Sequence, residues 1–245
     1  MYSFGSGVLI GTRSDIANAT PLNFGLVQEV TIDEAASVKE LYGQFQRPVA
    51  IARGTIKTTG KAKVARISGL AFANLYYGLT PVAGQVATSF AEAGVVPAAS
   101  PYNVSVVNAA SFANDEGVTY AATGLPLVKV AASPSAGQYS VAAGVYSFAA
   151  ADEGKAVLVT YTYTITGTGQ KFTVPNQLIG TTPTFQALFY TTFQGQAVTV
   201  QLNNCTSSKL SFGTKLEDFV IPEFDFSCFA DTSGNVMTWS FAEAS

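Results

Sequence analysis

Val157-Leu158-Val159-Thr160-Tyr161-Thr162-Tyr163-Thr164-Ile165-Thr166 sets Val157, Val159, Tyr161, Tyr163 and Ile165 on one parity and Thr160, Thr162, Thr164 and Thr166 on the other. Successive side chains of an extended strand point to opposite faces, so a period of two predicts a strand with one face for a core and one for water or a partner. The β-branched and aromatic residues that fill both parities favour the same backbone.

Working outward, the period recurs. Phe24, Leu26, Val30 and Ile32 share a parity opposite Glu29, Thr31 and Asp33, which predicts a first long strand. Leu41, Tyr42, Gly43, Gln44, Phe45, Gln46 and Arg47 form a loop around the glycine, and Pro48 opens a second extended run through Val49, Ile51 and Ile56. Apolar parity switches after Gly54, which predicts a β-bulge there. Toward the C-terminus, Phe185, Ala187, Phe189 and Phe193 alternate with Thr184, Gln186 and Thr192. Gly195 turns the chain, and Val198, Val200 and Leu202 complete a hairpin. Phe224, Phe226 and Cys228 stand opposite Glu223, Asp225 and Ser227; Asp231 to Asn235 reads as a turn, and Met237, Trp239 and Phe241 complete a second hairpin.

Two segments break the pattern. Val64, Ile67, Leu70, Ala71 and Leu75 recur at three- and four-residue spacing, which predicts one amphipathic helix over Val64–Tyr77 with Gly78 as its stop. Between 96 and 156, Pro97, Pro101, Pro126 and Pro134 punctuate short runs at Val104–Val107, Leu127–Val130, Tyr139–Val141 and Val145–Phe148. Closely spaced turn signals with Tyr, Phe and Val retained predict a small β-rich insertion rather than a linker. The expected fold is therefore all-β, a β-sandwich or barrel-like core over 1–95 and 157–245, with one flanking α-helix and the insertion at 96–156.

Composition excludes several functions. The 245 residues contain no histidine, so a Ser-His-Asp or Cys-His relay is impossible and most zinc sites lose their usual ligand. Apolar residues make up 48% and charged residues 12%, about half the usual charged share. So little charge points to extensive burial between subunits, with neutral surface as the plain alternative. A net charge of −3 argues against a phosphate-binding surface, which needs clustered Lys and Arg. Cys205 and Cys228 are too few for a disulfide scaffold and read as buried free thiols, with a single bridge between them as the alternative. Met1 to Gly7 lacks a basic and then apolar leader pattern, so no signal peptide is expected. The uncharged stretch from Phe172 to Ser208 is interrupted by Pro, Gly, Asn, Gln and Thr, so no transmembrane helix is expected either.

Gly54-Thr55-Ile56-Lys57-Thr58-Thr59-Gly60-Lys61-Ala62 imitates a phosphate loop. Five residues separate its glycines where four are needed, and Ala62 replaces the magnesium-binding hydroxyl. It reads as a bulged strand running into a basic turn. Lys57, Lys61, Lys63 and Arg66 then form a basic cluster for an acidic neighbour, a helix end or solvent. Glu29 with Asp33, and Glu223 with Asp225, each share a strand face. A glycosidase-like pair needs one carboxyl raised by burial, and these lie on polar parities. They either line a pore, where they would repel a passing polyanion, or solvate the outside of a sheet.

Several blocks occur in a telling order. Lys39-Glu40-Leu41-Tyr42-Gly43 precedes Ala52-Arg53-Gly54 and Gly60-Lys61-Ala62-Lys63. Leu202-Asn203-Asn204-Cys205, Ser208-Lys209-Leu210, Lys215-Leu216-Glu217-Asp218-Phe219, Ile221-Pro222-Glu223-Phe224-Asp225-Phe226 and Phe229-Ala230-Asp231-Thr232-Ser233-Gly234-Asn235-Val236 follow. In this order the chain resembles the tail tube proteins of long-tailed bacteriophages. Gly137-Gln138-Tyr139-Ser140-Val141 to Gly144-Val145-Tyr146-Ser147-Phe148 and Ala151-Asp152-Glu153-Gly154 resemble a small β module of phage structural proteins.

The resemblance implies a structural virion protein, not an enzyme, without cofactor or metal. Copies would close hexameric rings that stack into a conduit for DNA ejection, touching other tail proteins and letting DNA pass without specific binding. Made in the host cytoplasm, it would reside in the virion tail, away from membranes. In that setting Glu29, Asp33, Glu223 and Asp225 are the candidate lumen acids, Leu41 to Arg47 the inter-ring loop, and Lys57, Lys61, Lys63 and Arg66 the basic contact. Three rivals share parts of the pattern. A secreted adhesion or carbohydrate-binding β-sandwich would carry a signal peptide and stay monomeric. An outer-membrane barrel would need detergent. A capsid decoration protein is the nearest.

Overall fold

The computed structural model describes residues 5–66 and 68–242. Strands dominate, which makes the fold all-β. They gather in two units, Met1–Pro81 with Phe172–Ser245, and Val82–Lys171. In chain order, the first unit holds β1 (Val8–Arg13), β2 (Leu22–Asn23), β3 (Val27–Tyr42) and β4 (Pro48–Val64). The second holds β5 (Val82–Val95), β6 (Asn103–Ser105), β7 (Phe112–Tyr120), β8 (Val128–Lys129), β9 (Gln138–Ala142), β10 (Val145–Phe148) and β11 (Ala156–Lys171). The first unit resumes with β12 (Thr184–Phe193), β13 (Gln196–Ser211), β14 (Glu223–Phe229) and β15 (Met237–Phe241).

The Val157–Thr166 alternation lies within β11, and its apolar parity is buried where expected: Val157, Val159 and Tyr161 are 0%, 1% and 0% exposed. Its place in the chain differs from the expectation. β11 is the centre of a sheet ordered β5-β11-β7, so it belongs to the second unit and not to the core expected over 1–95 and 157–245. The insertion is accordingly Val82–Lys171 and not 96–156, because β5 and β11 pair with each other along most of their lengths. A four-stranded sheet, β6-β10-β9-β8, supplies Tyr139, Tyr146 and Phe148 to the same core, which makes this unit a small sandwich.

Two carboxylates fasten that sandwich. Asp115, its side chain 3% exposed, accepts hydrogen bonds from the Tyr139 hydroxyl at 2.8 Å and the Tyr146 hydroxyl at 2.9 Å, and lies 2.9 Å from Lys129 Nζ. Burial pushes its pKa up, but Lys129, the two tyrosines and the Gly117 amide together hold it below the usual carboxylate range. Burial and the acceptor carboxylate push both tyrosines upward. Asp152 is set the same way by Lys155, the Tyr120 hydroxyl and the Gly137 amide, which outweigh its burial.

The first unit is one sheet ordered β2-β1-β12-β13-β14-β4-β3, with β15 also on β13. Its core gathers Leu9, Phe24, Val64, Leu75, Phe185, Leu202, Phe224 and Phe226. β12 and β13 form the expected hairpin, turning at Gln194 and Gly195, both at positive φ, as a two-residue turn requires. The expected second hairpin does not form. β14 and β15 never pair with each other; they lie end to end along one edge of β13, β14 on Asn204–Ser211 and β15 on Val198–Leu202. The Asp231 turn is real, its Oδ1 accepting from the Ser233 and Asn235 amides, but it makes an excursion between two segments running the same way.

The first strand also departs from its simple parity. A register shift between Val27 and Glu29 turns Val27 into the core at 3% exposure and leaves Leu26 outside at 62%. The helix over Val64–Tyr77 shrinks to α1 (Gly69–Ala71), which continues as a π-type turn over Phe72–Tyr76. Val64 is instead the last residue of β4, continuing the Gly60, Ala62, Val64 alternation into the core, and Ile67 lies outside the described residues. The Ser68 side chain accepts from the Ala71 amide as N-cap, and Gly78, at φ 69°, ends the turn.

Because Asp115 and Asp152 are depressed in the folded state, their stabilisation is complete above the unfolded carboxylate pKa and is lost as pH falls through the folded values. Tyrosine near-UV circular dichroism should therefore report loosening of the sandwich below about pH 4. Asp115→Ala leaves two buried tyrosine hydroxyls without an acceptor and should cost about 3 kcal/mol in urea unfolding.

Candidate functional site

The charges that the sequence divides into an acidic wall and a basic cluster stand on one face of the first unit's sheet. On β4, Thr58, Gly60, Ala62 and Val64 point to the core, so Lys57, Thr59, Lys61 and Lys63 point the other way. In register, Lys63 lies between Glu29 of β3 and Glu223 of β14, and Lys61 lies between Thr31 and Asp225. Side chains close the lattice. Lys63 Nζ is 2.6 Å from Glu29, Lys61 Nζ 3.2 Å from Glu223, and Lys209 Nζ of β13 3.1 Å from the other Glu223 oxygen.

Electrostatics follow from the contacts. Hydrogen bonding and charge from Lys63 hold Glu29 low, and Glu29 in turn raises Lys63. Lys209 and Lys61 hold Glu223 low. A general acid needs its carboxyl raised, so both shifts run against that chemistry. Asp33 lies opposite Thr59 and, with Asp225, Lys57 and Lys61, lines a shallow hollow of about 330 Å³. One Asp225 oxygen, Oδ1, is enclosed without a hydrogen-bond partner. Arg66 is not part of the lattice; it follows β4 and lies against Gly25.

Lys209 is the member that sequence reading missed, and the basic turn proves to be strand. The signal was present: Lys57, Thr59, Lys61 and Lys63 share a parity opposite Gly60, Ala62 and Val64. The phosphate-loop look-alike lies within this extended β4, its backbone amides taken up in strand pairing rather than cradling an anion.

The second feature is an arm. β14 pairs β4 only over Thr58–Lys63, so β3 and β4 run on beyond the sheet as a two-stranded ribbon from Ala35 opposite Lys57 to a tip at 43–47. The register slips between Ala36 and Val38 opposite Gly54, the bulge expected there; a Cβ on Gly54 would stand 2.5 Å from Ser37 Oγ. Leu41 and Tyr42, read as loop, are strand, and the Tyr42 hydroxyl donates to Glu40. Pairing puts Val38, Ile51 and Ile56 on the face that continues the core side, with Val49 alternating into line, and Arg53 and Glu40 share that face as the direct partners of Val38 and Ile51. Val38, Val49, Ile51 and Ile56 are 55%, 64%, 64% and 50% exposed, and Phe45 at the tip 71%. A bare two-stranded ribbon is marginal in water, and this one shows apolar side chains to it. Leu216 and Phe219, in the 212–222 loop, are also exposed.

Among the described residues, no group of three or more His, Cys, Asp and Glu could hold a metal ion, and no helix is long and apolar enough to cross a membrane. Comparison with protein-family models and with curated proteins finds no match to the chain.

The lattice predicts a salt-dependent loss. Glu223→Lys sets like charges against Lys61 and Lys209, so the urea midpoint should fall at low salt and recover most of the difference at about 1 M salt, where screening reaches about 3 Å.

Proposed function

We propose that this chain is a structural subunit that builds a tube from copies of itself, the tail tube of a long-tailed bacteriophage, rather than an enzyme. The observation that carries the proposal is the arm, a ribbon that continues the core side of the sheet and holds Val38, Val49 and Ile51 more than half exposed. Such a ribbon gains cover for these side chains from a neighbouring copy, and the exposed stretch over 41–47, the strand end and the tip together, suits contact between successive rings. Long strand edges are an aggregation hazard in a free molecule. Closing them around a rotation axis removes the hazard, and head-to-tail stacking extends the closed ring into a filament.

In this reading the lattice face lines the bore. Its lysines and carboxylates alternate at ion-pair distance, so the wall offers no run of positive charge for phosphates to settle on. Passage without adhesion then follows from interleaved charge rather than from the purely acidic wall that the carboxylates alone suggest. Exposed Phe219 and Leu216 add apolar contact surface. The order of sequence blocks supports the same assignment to the virion tail, with other tail proteins as end partners.

Negative-stain microscopy of the concentrated full-length chain should show stacked annuli of uniform width. Val49→Asp with Ile51→Asp should abolish them while leaving the circular dichroism and melting of the free subunit unchanged, since both side chains already face water. Monomers at every concentration and salt, or double-variant annuli as abundant as the parent's, would refute the reading.

A further inference from the structure

The core of the first unit contains a chemistry that tube building does not use. Cys205 of β13 and Cys228 of β14 are direct cross-strand partners, and their sulfurs lie 3.4 Å apart as free thiols. Directly opposed residues of antiparallel strands have Cα atoms about 4.5 or 5.5 Å apart, and either spacing falls within the range a disulfide spans. The two thiols differ in access. Cys205 is 0% exposed, whereas Cys228 is half-buried and lines a hollow of about 410 Å³ with Ile56, Thr58, Phe229, Val236 and Met237. Glu34 stands at the same hollow.

We propose that Cys228 and Cys205 form a two-thiol oxidation site that takes neutral small-molecule disulfides through this hollow and closes a cross-strand bond between β13 and β14. Apolar walls and the Glu34 carboxylate favour a neutral oxidant over an anionic one. Roles follow from geometry. The Cys228 thiolate attacks one sulfur of the oxidant; the oxidant's S–S bond breaks and one thiolate leaves with the bonding pair. Cys205 then passes its proton to the small thiolate released in the first step and attacks the Cys228 sulfur. The Cys205–Cys228 bond forms and the second small thiolate is expelled. Two protein thiols are oxidised, and one small disulfide is reduced to two thiols that take up the protons.

The local hydrogen bond acts in the same direction. Accepting the Cys205 S–H favours the Cys228 thiolate, while that bond and burial keep Cys205 protonated until its partner is modified. The closed bond would tether residues 206–227, including the exposed 212–222 loop, at the middle of the sheet.

The test uses soluble full-length chain and 2-hydroxyethyl disulfide, and its result is independent of whether tubes form. Both free thiols should disappear, the mass should fall by two hydrogens, and non-reducing peptide mapping should join Cys205 to Cys228. The thermal midpoint should rise by about 5–10 °C and return on reduction. Cys205→Ser should instead accumulate the mixed disulfide on Cys228. Retention of both thiols, a lasting mixed disulfide on the parent chain, or capture at Cys205 in Cys228→Ser as fast as at Cys228 would each overturn the proposal.

Discussion

Backbone pairing along β13 is the constraint on which the first unit depends. At 16 residues it extends about 50 Å, and its buried amides and carbonyls need partners along both edges. β12 satisfies one edge through a tight hairpin. No single strand fills the other, so β14 and β15 divide it between them. From this division come the position of Phe224 and Phe226 over the core, the diagonal reach of Lys209 to Glu223, and the opposition of the two cysteines. Gly60 shows how close the packing is: a Cβ there would stand 2.1 Å from the Phe226 ring.

β4 transmits that order outward. Its proximal half is held between β14 and β3, with alternate residues committed to core and lattice. Its distal half has only β3, and after the bulge switches the parity of β4 the face that continues the core side shows Val38, Val49 and Ile51 beside Glu40 and Arg53. One strand thus changes from sheet framework to exposed ribbon along its length, and the bulge at Gly54 and Thr55 falls within the stretch that β14 does not reach. The individual ion pairs of the lattice are exposed and contribute little stability each. In the proposed bore their regular spacing would matter more than their strength, because it would set how a passing polyanion meets the face.

Most strands were legible because alternation records burial directly: Val157, Val159 and Tyr161 turned inward as their parity requires. Partner choice was not legible. β11 carries no local mark that β5 and β7, rather than the C-terminal strands, would flank it, since pairing is decided by contacts distant in sequence. The second hairpin failed for a related reason. Asp231 to Asn235 has true turn chemistry, yet the length of β13 decides what the turn connects. Around Val64 two periods overlap, and a short apolar run fits either until its neighbours arbitrate. Of the candidate site, each charged residue except Lys209 was found but not the face they share, because cross-strand register brings Glu29, Lys63 and Glu223 together from three separate segments. The Sγ–Sγ approach of Cys205 and Cys228 depended on that same register.

The second unit enters by β5 and leaves by β11, and the pairing of these strands continues down to Val82 opposite Lys171. Its two chain ends therefore emerge side by side, as in a plug with adjacent prongs. A module built this way can be exchanged, enlarged or deleted by recombination with only a short reverse turn needed to rejoin the host chain. The sheet that holds β13 is then free to stay constant while the guest it displays diversifies.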